Sequence, residues 1–327
     1  MALSANNARG LTAGMQVVVV LGATGTGKTR LAIEIAQALD GEVVNADSRY
    51  VYRGMDIGTA KPTPDERRGI PHHVLDIVEA ADPFSVAAFL ELAYVAIEDI
   101  GGRGRLPVVV GGTPQYLCAL LEGWSAPAVL PDACYRRQLE LLAADTLHEQ
   151  LRAADPVSAA RIDPRNTRRV IRALEIVRAT GGPVSAVQGK TAPPYRFHIL
   201  GLRQPRAALH ARVDRRVREM FSAGWLAEVE RLRARHLTAT TPAMSAHGYR
   251  EALAVLEGDM SLDEAINQTQ RMVHRYIRHQ ETWFRRFEGI HWFDSSEDDW
   301  LPAAMRSARD WVGDERRRAQ APAGTEQ

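Results

Sequence analysis

Residues 17–39 read VVVVLGATGTGKTRLAIEIAQAL. A run of valines ends at Leu21, a glycine-rich turn follows, and apolar residues of helical period begin after Lys28. Gly22, Gly27, Lys28 and Thr29 satisfy G-x-x-x-x-G-K-[ST] in the strand-to-helix context of a phosphate-binding loop. In such a loop the backbone N–H groups of Gly22, Ala23, Thr24, Gly25, Thr26, Gly27, Lys28 and Thr29 surround an anion at a helix N-terminus. The lysine reaches an outer phosphate, and the Thr29 hydroxyl can ligate Mg²⁺.

Outward from the loop, MQVVVVLG, EVVNAD and LPVVVGG are strand-like, whereas KTRLAIEIAQAL and SVAAFLELAYVAIEDI are helix-like. This alternation predicts an α/β fold: a buried parallel sheet with helices on its faces. Residues 124–195 read as consecutive helices punctuated by Pro156, Pro164 and Gly181-Gly182-Pro183, and form an expected α-helical insertion. FHILGL at 197–202 returns to the sheet, helical segments follow at about 206–235, 248–257 and 261–288, and IHWF supplies a last strand. The expected organisation is a P-loop-containing parallel-sheet core over 15–123 and 196–312, with disordered tails at 1–14 and 313–327.

The formal net charge of +1 hides a bias: of 41 Lys and Arg residues, only Lys28, Lys61 and Lys190 are lysine. A lysine kept against that bias supplies a compact ammonium where a planar guanidinium would not serve. Cys118 and Cys134 lack the paired spacing of a disulfide framework or zinc site, which fits a reducing compartment. No apolar run approaches the roughly 18 residues of a membrane span, and MALSANNARGLTAG has no signal-peptide core. A soluble cytoplasmic protein is expected.

A P-loop ordinarily holds a nucleoside triphosphate, so an NTPase or kinase is the default reading. The remaining sequence resists it. The strand PVVV ends in Gly111-Gly112-Thr113 rather than in the aspartate that would hold Mg²⁺, and no N-K-x-D base-reading motif is present. The strand-end aspartate is Asp47, in VVNADS. The loop therefore suits a diphosphate that is not part of a nucleotide.

Further motifs accumulate: NADSRYVYRGMDIGTAKP at 45–62, PHHVLDI at 71–77, VVVGGTPQYL at 108–117, RRVIRALEI at 168–176 and GYREAL at 248–253. With the P-loop, they make residues 16–294 resemble the bacterial tRNA dimethylallyltransferase family. The resemblance implies transfer of a dimethylallyl group from its diphosphate to the exocyclic amine of the adenosine 3′ to the anticodon, forming isopentenyladenosine. It implies Mg²⁺ as cofactor, and tRNA (through its anticodon stem-loop) and dimethylallyl diphosphate as partners; no membrane partner is expected from the apolar pattern, and a monomer is expected although the sequence does not reveal the oligomeric state.

Carried over residue by residue, Asp47 matches the general base. A magnesium ligand or a helix N-cap are its other readings. Lys28, Thr29 with Mg²⁺ and Arg216 match the diphosphate-binding set, where negative charge builds on the leaving group. Thr24 and Thr113 match positions lining the reaction channel, where a hydroxyl positions the amine or the diphosphate; the alternative is a turn hydroxyl bonded to its own backbone.

In RIDPRNTRRVIRALEIVR, Val170, Leu174 and Val177 share one helical face while Arg165, Arg168, Arg169 and Arg172 gather on another. The resemblance implies tRNA contacts by Arg136, Arg168, Arg169, Val170, Ile171 and Arg172, and by Ser245, Ala246, His247, Gly248, Tyr249 and Arg250. It adds Asp47, Ser48, Arg49, Tyr50, Thr113, Arg275 and Arg278. QRMVHRYIRHQETWFRR interleaves arginines with Tyr276, Trp283 and Phe284; aromatics suit an unstacked loop nucleotide, or, for Trp283 and Phe284, a core.

Three places depart from the family pattern. Tyr50 stands where D-S-x-Q places a base-contacting glutamine, Pro114-Gln115 follows the Gly-Gly-Thr turn, and residues 273–280 read VHRYIRHQ where T-R-Q-Y-A-K-R-Q is usual. The rival readings are a prenyltransferase acting on free AMP, ADP or ATP, a P-loop NTPase or kinase, and a non-catalytic tRNA-binding protein with a relic loop.

Overall fold

The computed structural model describes residues 11–320 except 126, 128, 130 and 131, so the expected tail segments 1–10 and 321–327 lie outside the described residues. The chain runs β1 (Gln16–Gly22), α1 (Lys28–Ala38), β2 (Gly41–Asn45), α2 (Pro64–Arg67), β3 (His72–His73), α3 (Val86–Gly102), β4 (Leu106–Gly111) and α4 (Pro114–Glu122). It continues with β5 (Trp124–Ser125), α5 (Ala133–Glu140), α6 (Ala144–Ala154), α7 (Pro156–Arg161), α8 (Thr167–Thr180), α9 (Val184–Val187) and β6 (Gly189–Lys190). It ends with β7 (Arg196–Arg203), α10 (Arg206–Ser222), α11 (Trp225–Ala234), α12 (Tyr249–Glu257), α13 (Leu262–Phe284), β8 (Ile290–Asp294) and α14 (Trp300–Gln320).

Two compact units result. The larger holds residues 12–85, 89–117 and 194–320 and is built on a six-stranded sheet of order β3-β2-β4-β1-β7-β8. Every neighbouring pair in it is parallel, with Val18 opposite both Val108 and His198. Val17 to Leu21 are fully buried, as a continuous apolar strand covered on both faces requires. Leu31 and Ile35 of α1 and Met305, Ala308 and Val312 of α14 pack on the side chains of Val18, Val20, Val108 and Leu200. β3, only two residues long, escapes a reading based on apolar runs.

The parallel register brings the carboxyl ends of β1, β2 and β4 side by side: Leu21 pairs with Gly111, and Asn45 with Val110. This is where open α/β sheets place their sites. Gly111 is required there, since a Cβ would lie 2.2 Å from the Ala46 carbonyl oxygen.

Of the described residues, the smaller unit comprises 11, 86–88 and 118–193, and its main range starts before the expected boundary at 124. Its core gathers Leu139, Leu147, Leu151, Val170, Ile171 and Leu174, and β5 and β6 pair antiparallel. The expectation of a disordered tail from 313 is corrected: α14 continues to Gln320, with Ala308 and Val312 one helical turn apart on its packed face. At the other end Thr12 donates through its N–H to Glu98 across 3.0 Å. No helix among the described residues is long and apolar enough to cross a membrane.

Candidate active site

The cavity described next belongs to the larger unit. A cavity of about 400 Å³ opens at the strand ends, and Thr24, Gly25, Gly27, Lys28 and Thr29 of the P-loop form one wall. Gly27 sits at φ +93° as the N-cap of α1, a left-handed conformation suited to glycine, and it aims the helix N-terminus at the cavity. Gly22, Ala23 and Thr26 brace the loop from behind. The Ala23 carbonyl accepts from the Thr26 hydroxyl at 2.9 Å and from Lys28 Nζ at 2.8 Å.

Opposite stands α10, from which Arg212, Arg215 and Arg216 all reach the cavity. Arg216 donates to the Ala60 carbonyl at 3.4 Å. Burial pushes the Lys28 ammonium down to about 8, the Asp47 charge opposes that shift, and Arg216 adds to it. Adjacent half-buried cations of this kind invite an anion between them.

Asp47 follows β2 on the same cavity. Its Oδ1 accepts from the Arg49 N–H at 2.9 Å, which makes it the head of a turn rather than a helix N-cap. Asn45 shapes this turn, accepting from the Asp47 N–H at 3.0 Å and donating to the Val74 carbonyl at 2.9 Å.

Neither threonine singled out from the sequence is a self-bonded turn hydroxyl. Thr113 accepts from the Ser48 N–H at 2.9 Å and donates to Ser48 Oγ at 3.3 Å. Thr24 bonds to Gln280, a fully buried residue of α13 that sequence reasoning missed. Its only trace in the sequence is as the last residue of VHRYIRHQ, a segment read for its arginines and aromatics. His72 was also passed over. Its Nδ1–H donates to the Ile70 carbonyl at 2.8 Å, which leaves Nε2 as an acceptor, buried on the cavity with no partner among the described residues. Burial lowers its pKa and favours this neutral form.

Tyr50 lines the cavity with its ring, but its hydroxyl is committed to the Ala60 carbonyl at 2.8 Å. Arg49 extends to Ser245 Oγ at 3.2 Å. His247 lies against Tyr276 with ring centroids 4.9 Å apart and planes tilted by 42°, and burial with Arg49 and Arg275 nearby lowers its pKa to about 4.

Several residues expected at an RNA surface are buried instead. Tyr249 is fully buried with its hydroxyl donated to Glu228 at 2.7 Å, and Ala246 and Gly248 are buried beside it, so they shape the segment from within. In the smaller unit, Val170 and Ile171 sit in the core. There Arg136 and Arg172 both pair with the buried Glu175, at 2.7 and 3.3 Å. Arg168, Arg169, Arg250, Arg275 and Arg278 are exposed.

The specific motif YRGMDIGTAKP has a structural cause. Glu228, 1% exposed, accepts from the N–H groups of Asp56, Ile57 and Gly58 at 2.9, 2.7 and 3.2 Å. Lys61 Nζ donates to the Tyr52 carbonyl and to Asp56, both at 2.7 Å, and to Asp76. A tetrahedral ammonium serves three such acceptors where a guanidinium plane would not.

The chain is similar to known proteins over most of its length. The family model described as IPP transferase matches residues 50–287, and one described as isopentenyl transferase matches residues 15–77. The chain is 51% identical to a tRNA dimethylallyltransferase of Thermomicrobium roseum over 87% of its own length and 88% of that protein. It is 46% identical to that of Geobacillus kaustophilus over 91% and 96%. Among solved structures it resembles the tRNA isopentenylpyrophosphate transferase of Bacillus halodurans, with 38% identity, TM-score 0.69 and 93% and 98% of the chains covered. A eukaryotic dimethylallyltransferase acting on tRNA aligns with 30% identity, TM-score 0.79 and 92% and 80% covered.

Proposed function

Because the chain belongs to the IPP transferase family of tRNA dimethylallyltransferases, we propose that its strand-end cavity transfers a dimethylallyl group from dimethylallyl diphosphate to the exocyclic amine of the adenosine 3′ to the anticodon. The observation that carries this reading is that a P-loop wall with Lys28 and Arg216 shares one cavity with the Asp47 carboxylate. In the step, the donor's C1–O bond breaks and its electron pair leaves on diphosphate. The amine nitrogen forms the new C1–N bond, and its proton passes to Asp47. Isopentenyladenosine and diphosphate are the products.

The exocyclic amine is a poor nucleophile because its lone pair is delocalised into the ring, and a positioned carboxylate base contributes roughly 10²–10⁴ in rate. Lys28, Arg216 and the loop N–H groups meet the charge that builds on the leaving diphosphate. Among the described residues no group of three His, Cys, Asp or Glu could hold a metal ion. An ion held by Thr29 would therefore take most of its ligands from diphosphate and water, a pattern that suits Mg²⁺. When bound, Mg²⁺ neutralises part of the leaving group's charge.

An enzyme acting on a loop base must draw it out of its stack, at a cost of a few kcal/mol. The exposed Arg168, Arg169, Arg250, Arg275 and Arg278 suit the phosphate contacts that offset it. The test is transfer of labelled dimethylallyl to unmodified tRNA, with the modified base then located, beside arms containing AMP and ATP. Label at the adenosine 3′ to the anticodon is expected. Equal transfer to AMP would replace the tRNA reading, and Mg²⁺-dependent ATP turnover without prenyl transfer would replace the transferase reading.

A further inference from the structure

Gln280 occupies the junction of three segments: its own helix α13, the P-loop and the turn after β4. Its amide orientation is forced by its neighbours. The Thr24 N–H can only donate and lies 2.9 Å from Oε1, while the Gly112 carbonyl can only accept and lies 2.6 Å from Nε2. The same Gly112 oxygen also accepts from the Tyr276 hydroxyl at 3.2 Å, which holds the peptide plane.

With Oε1 so fixed as an acceptor, the Thr24 hydroxyl, 3.3 Å away, must donate its proton to it. What remains on Thr24 Oγ1 toward the cavity is lone pairs. The Thr24 N–H is consumed as well, so it is withdrawn from the set of loop amides that could hold an anion. A phosphate oxygen, acceptor only, finds no partner on Thr24, whereas an amine N–H does.

We propose that Gln280 is a positioning residue that divides the P-loop between the two substrates, leaving Gly25, Gly27, Lys28 and Thr29 for the diphosphate and presenting the Thr24 hydroxyl as an acceptor for the incoming amine. This rests on the reading of the cavity as the prenyl-transfer site. Through Gly112 the same amide also fixes the turn carrying Thr113, whose hydroxyl holds the Asp47 loop at Ser48. Gln280 thus ties the amine's acceptor and its base to one frame.

Thr24→Val and Gln280→Met are the test, alone and combined, with kcat and KM measured for donor and tRNA and the Kd of inorganic diphosphate measured by titration. Each single variant is expected to lose about tenfold or more in kcat, as the loss of an oriented hydrogen bond entails. Diphosphate Kd should stay within about threefold, and the double variant should fall no lower than the worse single one, as residues acting through one interaction are non-additive. A tenfold rise in diphosphate Kd for Thr24→Val overturns the proposal, as do multiplicative losses in the double variant. The Thr24→Val titration requires neither turnover nor folding of a Gln280 variant. Absence of transfer by the unsubstituted enzyme would instead refute the functional reading.

Discussion

The Ser48 N–H donates to the Thr113 hydroxyl across 2.9 Å and joins the loop that carries Asp47 to the turn that ends β4. Two neighbouring parallel strands thereby deliver one rigid corner of the cavity. Thr113→Val keeps the side-chain volume but leaves the half-buried Ser48 N–H without its acceptor, which costs about 1 kcal/mol or more. The expected outcome is a kcat lowered at least about tenfold with tRNA affinity retained, while Thr113→Ser recovers most of the loss. Single-turnover transfer beside a filter-binding assay separates the two quantities.

Asp47 itself is tested by truncation. Asp47→Ala should lower single-turnover transfer by at least about 10², the contribution of a general base, while tRNA and diphosphate still bind. Transfer within a few-fold of the unsubstituted rate would remove Asp47 from the proton's path.

Lys28 sets a pH limit on donor binding. Its pKa is lowered to about 8 by burial, so the ammonium is present below that pH and is lost as pH rises through it. The donor KM is expected to rise about fivefold between pH 8 and 9 and about tenfold per unit above that, as the fraction of free enzyme carrying the charge falls. An arginine keeps its charge throughout this range, so Lys28→Arg should bind weakly at every pH without the alkaline limb. A pH profile of kcat/KM for the donor reads both.

The parts of this molecule legible in the sequence are those written in short-range pattern. The valines of β1 and β4, the glycine-rich turn and the periodic apolar residues of α8 each announce themselves within a few positions. In α8 the apolar periodicity places Val170 inside, and its side chain is fully buried there. What escaped is non-local. Gln280 meets Thr24 across 256 positions, and Glu228 meets Ile57 across 171, each from an otherwise ordinary amphipathic helix. The end of α14 escaped for another reason: GDERRRAQ is polar enough to read as a tail, yet Glu, Arg, Ala and Gln are strong helix formers continuing a packed helix.

Glu228 gives the clearest stability prediction. Its carboxylate accepts all four of its hydrogen bonds, from three N–H groups and the Tyr249 hydroxyl. Glu228→Gln replaces one acceptor oxygen by a donor facing donors, so at least about 3 kcal/mol should be lost, as two or more buried groups go unpaired. Lys61→Arg should cost about 1–3 kcal/mol for the same reason, since its planar fork cannot meet the Tyr52, Asp56 and Asp76 oxygens together. Urea unfolding measures both, and a midpoint unchanged in either variant would contradict the geometry.

Tyr50 and Arg216 share one acceptor, the Ala60 carbonyl, at 2.8 and 3.4 Å. Burial and the Asp47 charge raise the phenol's pKa, so it remains a neutral donor throughout the working range. Its hydroxyl is therefore spent on the segment that steadies Arg216, and only its ring is offered to the cavity. Tyr50→Phe removes that hydroxyl and keeps the ring, so the donor KM should rise about three- to tenfold, as one neutral hydrogen bond predicts, while the tRNA KM stays unchanged. Tyr50→Gln restores an amide but opens space beside Asp47, and should alter the tRNA KM as well. If Tyr50→Phe moved the tRNA KM and left the donor KM alone, the hydroxyl would belong to base recognition rather than to the diphosphate side.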